Sequence, residues 1–153
     1  MKKILVFFTF SLLLLLTGCS HVEDLNGPNN FELATYTFDD IKNNRIKSSN
    51  SIGSVESGFL NSGFIKIKKF SGKRLLISRR VNYLDQVKIT STVESGNLAI
   101  YVICGDNYYK IPVNTEYTFV YDNYEGLSSI IYVGESAKLK IEYDYSLYHQ
   151  MCM

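Results

Sequence analysis

Few residues in this chain have the types and spacing that enzymes use, and the carboxylates come nearest. Asp39 and Asp40 are adjacent, and segments 105–107 and 122–126 are rich in oxygen-bearing side chains. A pair of carboxylates can cleave a glycosidic bond, and oxygen-rich loops can hold Ca²⁺. However, no pair of acids differs from ordinary surface acids, and neither loop has the ligand spacing of a known calcium loop. Because turn formation explains both loops, we expect no metal and no cofactor, and we assign no catalytic residue.

Histidines and cysteines offer little more chemistry. His21 and His149 lie near opposite ends of the chain and form neither a metal-ligand pair nor a nucleophile–base set. Cys104 shares the alternation of the apolar run before it, so we expect its thiol in the core, whereas Cys152 is next to last. A Cys104–Cys152 disulfide is one alternative, and a buried free thiol with a loose terminal cysteine is the other. We therefore predict that the protein is not an enzyme.

The third cysteine, Cys19, has a different setting. Lys2 and Lys3 follow the first methionine, and residues 4–16 are apolar almost without interruption. A bilayer span takes about 20 residues, so this stretch is short for one and suits the apolar region of an export signal. The alternative is an ordinary buried or membrane-spanning helix that ends in cysteine. The short length and the charged start favour export.

The residues before Cys19 carry a resemblance. Leu16-Thr17-Gly18-Cys19 resembles the lipobox of bacterial lipoproteins at all four positions. This resemblance implies that diacylglycerol is attached to the Cys19 sulfur and that signal peptidase II cuts between Gly18 and Cys19. In many bacteria the new α-amine is acylated as well. It also implies a lipid anchor in a bacterial membrane, either the outer leaflet of the cell membrane or an outer membrane.

Cleavage there would leave 135 residues with a formal net charge of −1, enough for one domain with its own core. This balance argues against nucleic-acid binding. The bases cluster at 66–80, which contains Lys66, Lys68, Lys69, Lys73, Arg74, Arg79 and Arg80. The cluster would suit anionic lipid head groups or a wall polymer. We favour the simpler interpretation, that these bases form the solvated face of two strands and pair with acidic neighbours later in the chain.

From Gly58 onward, apolar and polar residues alternate in short runs bounded by turn formers, a pattern typical of β-strands. Segment 98–104 has apolar residues at both its even and its odd positions, so both faces of the strand are apolar, as in a buried central strand. Gly105-Asp106-Asn107 predicts a hairpin turn into the next strand. We predict strands at residues 64–70, 74–81, 87–93, 98–104, 108–113, 116–121, 129–133 and 137–145.

Such strands must pack sheet on sheet or close as a barrel. We predict an all-β fold, an antiparallel β-sandwich of jelly-roll-like or immunoglobulin-like type. Residues 132–137 with Leu139, Ile141 and Tyr143 resemble the closing hairpin of small jelly-roll modules on bacterial surface proteins, which supports the fold only. The predicted divisions are a signal peptide at 1–18, a lipidated tether and irregular segment at 19–57, the sandwich at 58–146 and a tail at 147–153. Within the second division, 31–41 is either a strand or a helical turn, and 42–57 is a loop.

Aromatic composition bears on function, since the chain has 12 Tyr, 9 Phe and no Trp. Tyr108 and Tyr124 lie near predicted turns, where an exposed ring offers a flat amphipathic surface to a sugar or a protein. The alternative is that tyrosine is simply a good strand former. The lack of tryptophan weakens the sugar hypothesis.

We therefore predict a membrane-anchored, non-catalytic binding or accessory module of the cell envelope, with an envelope protein or a surface polymer as partner. The alternatives are a surface polysaccharide-binding module, a structural lipoprotein that pairs through a strand edge, and a carboxylate-based glycoside hydrolase. A concave groove lined with tyrosine would favour sugar. An exposed apolar patch would favour assembly, and a cleft with two converging carboxylates would favour hydrolysis.

Overall fold

The computed structural model describes residues 33–46, 49–58 and 61–146, in which a short helix precedes six β-strands. The elements are α1 Phe38–Lys42, β1 Asn50–Gly58, β2 Ser62–Val81, β3 Gln86–Cys104, β4 Asn107–Ile111, β5 Glu116–Val120 and β6 Gly126–Ser146. All strand pairs are antiparallel, in the order β1-β2-β6-β3-β4, and β5 also pairs with β3. The predicted all-β antiparallel fold is confirmed.

Three strands are much longer than predicted, because each of β2, β3 and β6 joins two of the predicted strands. The residues between the predicted pairs look like turns: Ser71-Gly72-Lys73, Glu94-Ser95-Gly96-Asn97 and Gly134-Glu135-Ser136. In the structure they form irregular, bulged positions around which pairing continues. Bulges and turns favour the same small and polar residues, so the prediction of seven or eight short strands was wrong in number.

The irregular positions lie side by side and bend the sheet at one level. Gly72 pairs with Gly134, and Glu135 pairs with Asn97 on the next strand. Gly96 has a φ of +75°, which suits a residue without a Cβ. Gly134 is needed for space, because an added Cβ would lie 2.6 Å from Cδ1 of Phe70. The two halves of each strand face each other across one core, because the ring centroid of Tyr109, opposite Val102, lies 5.2 Å from that of Phe119, which is opposite Val87 near the other end of β3. These halves form the layers of the sandwich.

Both halves contribute to the main core. Alternate side chains of the bent strands point inward, and Phe70 packs on Tyr132 at the bend with ring centroids 4.8 Å apart. Cys104 is a buried free thiol in this core, as its alternation predicted, and Cys152 lies outside the described residues. The buried aliphatic residues of this core are Ile65, Ile67, Val81, Val87, Ile89, Leu98, Ile100, Val102, Ile111, Val113, Ile130, Ala137, Leu139 and Ile141.

A second, smaller core lies on the outer face of one layer. Residues 33–46, which we call the N-terminal strap, contain α1 and cross this face. Ile41 of the strap is completely buried, a burial that contributes about 2 kcal/mol to folding. It packs with Ile46 over Ala99, Tyr101, Ile131 and Val133. The apolar residues on both faces of segment 98–104 are thus explained, because one face meets the main core and the other meets the strap.

Polar contacts fix both ends of the strap. The Glu135 carboxylate accepts hydrogen bonds from the successive backbone N–H groups of Ala34, Thr35 and Tyr36, at 2.7, 2.5 and 3.2 Å. Lys73 Nζ donates to the backbone oxygen of Ile41 at 3.1 Å. Burial tends to raise the pKa of Glu135, but hydrogen bonds from these backbone N–H groups and the Asn97 side chain outweigh it, so its pKa is lowered.

The structure answers the two predictions made for segments 31–41 and 42–57. The ambiguous segment 31–41 contains a helical turn, because Thr37 caps α1 and exchanges hydrogen bonds with Asp40 in a capping box. The loop prediction for 42–57 was wrong over most of β1. This strand is exposed at all nine positions, so its sequence has no apolar alternation to reveal it. The predicted start of the sandwich, residue 58, is the last residue of β1.

Replacing Gly134 with alanine tests the bend. Because the new Cβ would overlap Phe70, we expect Gly134→Ala to lower the free energy of unfolding by about 2–3 kcal/mol in urea denaturation. Gly105→Ala is the control, since its Cβ would make only an ordinary van der Waals contact, 3.8 Å from Tyr124 Cε2, and would bear the strain of a φ of +59°. It should cost about 1 kcal/mol. An equal or smaller loss for Gly134→Ala would contradict the role given to the bend.

Removing the Glu135 charge tests the strap. A lowered pKa means that the ionised carboxylate stabilises the fold above the usual glutamate pKa of about 4.3, and that this stability is lost as the pH falls through the folded value. Hydrogen-exchange protection of the amides of residues 34–36 should therefore fall at acid pH. Glu135→Gln should reduce it already at pH 7, because a neutral amide is a weaker acceptor.

The control is Glu94→Gln, whose carboxylate pairs with Lys138 away from the strap. It should leave protection of residues 34–36 unchanged. Equal protection in both variants would show that Glu135 does not hold the strap.

Candidate binding site

The main core opens at one edge of the sandwich. β4 pairs with residues 100–104 of β3, and β5 pairs with residues 86–90, so both lie on the edge of β3 that β6 leaves free. The bend places these two stretches in opposite layers. β4 and β5 therefore do not pair with each other, and a cleft of about 310 Å³ lies between them.

Aromatic side chains dominate this cleft, which we call the aromatic cleft. Its lining residues are Cys104, Tyr109, Tyr117, Thr118, Phe119, Val120, Tyr121, Asp122, Asn123 and Tyr124. Tyr109 lies opposite Val102 and Phe119 lies opposite Val87, so both rings are on the inward side of their strands. The cleft is thus the open mouth of the core and not a groove on an outer face.

Three rings form a continuous row across the cleft. The centroids of Tyr109 and Phe119 are 5.2 Å apart, and those of Phe119 and Tyr121 are 5.1 Å apart. The row runs from the surface inward, because Tyr109 is 44% exposed whereas Tyr121 is buried. Ring contacts at these distances stabilise each other, so the row is a preformed surface.

The inner end of the row is held by hydroxyl groups. The Tyr121 hydroxyl lies 3.0 Å from Ser128 Oγ and 3.4 Å from the Tyr145 hydroxyl. The Arg79 guanidinium lies over the Tyr145 ring, 4.5 Å from its centroid. Burial raises the pKa of Tyr121 and that of the Cys104 thiol. A neutral buried thiol is a poor nucleophile, so Cys104 contributes packing to the cleft.

Tyr124, one of the two tyrosines proposed from the sequence, lines the cleft. Its hydroxyl accepts a hydrogen bond from Gly105 N at 3.1 Å and donates one to Leu127 O at 2.7 Å. It thereby joins the turn that begins at Gly105 to the loop 122–125, the two oxygen-rich segments of the sequence. Within the described part of the chain, no three acidic, histidine or cysteine side chains converge as a metal site.

Tyr108, the other proposed tyrosine, lies elsewhere. It points to the outer face, where its ring meets Phe38 of the strap at 5.7 Å, and is partly buried in the second core. Its neighbour Tyr109 occupies the cleft. The sequence could have identified Tyr109 as the inward residue. A two-residue turn after Cys104 places Tyr109 opposite Val102, which shares the inward alternation of Cys104.

In the folded protein, the basic side chains of stretch 66–80 have different partners and do not form a single patch. Lys73 holds the strap, Arg74 pairs with Glu56, and Arg79 covers the Tyr145 ring. Within this stretch, the exposed bases that form no salt bridge with a described residue are Lys66, Lys68, Lys69 and Arg80. The Arg74–Glu56 pair fits the interpretation as strand-face bases with acidic neighbours, although its acid precedes the stretch in sequence.

Removing the Tyr124 hydroxyl tests how the cleft is held. Tyr124→Phe loses both hydrogen bonds and leaves Gly105 N and Leu127 O without their partner. We expect the free energy of unfolding to fall by about 1–2 kcal/mol in urea denaturation. Tyr83→Phe is the matched control, because the Tyr83 side chain is 59% exposed and does not line the cleft. A loss no larger than that of the control would mean that the two loops do not depend on Tyr124.

Comparisons with known proteins identify the N-terminus. Residues 1–20 match a family model described as a prokaryotic membrane lipoprotein lipid attachment site. No curated protein matches the chain. One similar solved structure is a cupin domain from Bordetella pertussis Tohama I, 8% identical, with a TM-score of 0.33 over 63% of this chain and 97% of that one. At this TM-score, the likeness says nothing about a ligand or an activity.

The lipobox, including Cys19, lies outside the residues that the structure describes. In those residues, no helix is long and apolar enough to cross a membrane. The family match confirms the predicted lipobox. The chain thus carries the lipid attachment site of bacterial lipoproteins, which supports export and a lipid anchor in a membrane.

Proposed function

We propose that the protein is a lipid-anchored, non-catalytic binding module of the cell envelope, and that its ligand lies in the aromatic cleft. The observation that carries this proposal is the row of Tyr109, Phe119 and Tyr121 at the open mouth of the core. A core normally closes over such rings, because exposing aromatic area to water is unfavourable. A preformed, partly exposed row in a concave site is typical of ligand binding.

The chemistry of the lining favours binding over catalysis. Among the described residues, Asp122 is the only carboxylate that lines the cleft, whereas glycoside hydrolysis uses two facing carboxylates. The Cys104 thiol is buried with a raised pKa, which makes it a weak nucleophile. The cleft therefore offers surfaces for recognition and no acid–base or nucleophilic pair.

A specific observation also favours a second candidate, an accessory lipoprotein within an assembly. β1 is an edge strand of nine exposed residues, with Ile52 and Val55 more than half exposed. Such an edge can accept a strand from another protein. Natural edges are commonly guarded by lysine or proline, and β1 has neither.

Crosslinking on intact cells that express a tagged copy tests both candidates. We expect the wild type to retain one reproducible envelope component, and Tyr109→Ala to reduce its recovery at least tenfold. Tyr83→Ala, which alters an exposed tyrosine outside the cleft, should have no effect. Cys19→Ala should stay unprocessed and lose the component, because it cannot be lipidated.

The outcomes separate the candidates. Recovery that survives Tyr109→Ala but is lost when Val55 is replaced by lysine would move the function to the edge of β1 and contradict the cleft. Turnover of the recovered component by the purified full-length protein would overturn the non-catalytic assignment.

A further inference from the structure

We infer that the aromatic cleft binds a neutral saccharide. This inference rests on the proposed function and specifies the ligand class of the same site. It follows from three properties of the cleft: the arrangement of its rings, the charge of its lining and the hydrogen-bonding groups of the 122–124 loop.

The rings form a strip and not a cage. Tyr109 contacts Phe119, and Phe119 contacts Tyr121, each at about the distance of a packed aromatic pair. Adjacent rings in contact leave no hollow between them for a quaternary ammonium group, which aromatic cages surround on several sides. A strip instead presents ring surface to a ligand lying along it, and the C–H faces of a sugar ring suit such a surface.

The charge of the lining disfavours anionic ligands. Among the lining residues that the structure describes, Asp122 is the one charged side chain, and none is lysine or arginine. A phosphate, sulfate or uronic acid placed there would meet the Asp122 carboxylate, whereas the Arg79 guanidinium lies over the Tyr145 ring and is not among the lining residues. The exposed bases Lys66 and Lys68 point outward from β2, on the side opposite to the inward Ile65 and Ile67.

The polar groups at the mouth suit hydroxyls. Asp122 and Asn123 are exposed on the loop that lines the cleft. Together they supply acceptors and donors that sugar hydroxyls can use. The volume of about 310 Å³ is at the small end of ligand sites, which suits one or two sugar units. Binding to one copy would then be weak, and many lipid-anchored copies on one polymer would add avidity.

The test uses full-length lipidated protein, purified in detergent and immobilised, with an envelope extract from the producing cells as the probe. The extract is applied untreated, after protease digestion, or after periodate oxidation, which cleaves vicinal diols of sugars. We expect retention to survive protease, to fall at least tenfold after periodate, and to change less than twofold between about 0.1 M and about 0.5 M NaCl. Tyr109→Ala should also reduce retention at least tenfold, and Tyr83→Ala should not.

A second variant separates loss of binding from loss of the fold. Asn123→Ala alters an exposed loop residue of the cleft, so it should fold normally and reduce retention several-fold. Retention that is lost after protease and unaffected by periodate would overturn the saccharide ligand and leave the cleft as a binding site. Retention that is abolished by salt would overturn its neutrality. Retention that is unchanged in both cleft variants would overturn the cleft and the proposed function together.

Discussion

The structure depends on one steric constraint, the close approach of Phe70 to Gly134 where three long strands bend. Only a residue without a side chain leaves room for the Phe70 ring, which then packs on Tyr132 and fills the inside of the bend. Since β2, β3 and β6 bend at the same level, one continuous sheet supplies both layers of the sandwich. The core, the cleft and the covered outer face all follow from this fold of the sheet.

The cleft is a geometric result of the bend. A single strand, β3, carries both β4 and β5 on one edge, and the bend directs those two partners into opposite layers. No strand closes the gap between them, so inward rings that would otherwise be sealed remain partly open to solvent. The aromatic residues of the chain therefore both fill the core and line the cleft, and the difference depends on position and not on residue type.

The sequence predicted the fold class, the inward-facing residues of most strands and the lipid attachment site, because alternation and the lipobox are local signals. It did not reveal β1, which buries nothing, nor that turn-like segments such as 134–136 are bulges. The cleft was only half predicted. Tyr124 was identified from its loop, but Tyr109 required the register of the β3–β4 hairpin, and the proximity of Phe119 requires the bend.

The strap has a mechanical consequence. The lipid attachment site lies upstream of residue 33, so a force on the anchor would act first on the backbone of residues 34–36. The three successive amides of this segment donate hydrogen bonds to Glu135. On this outer face, the packing of Ile41 and its hydrogen bond from Lys73 also join the strap to the sheet, so they would resist the same force. The aromatic cleft opens from the opposite, inner face. A load on the anchor would thus act on hydrogen bonds of the outer face, away from the aromatic cleft.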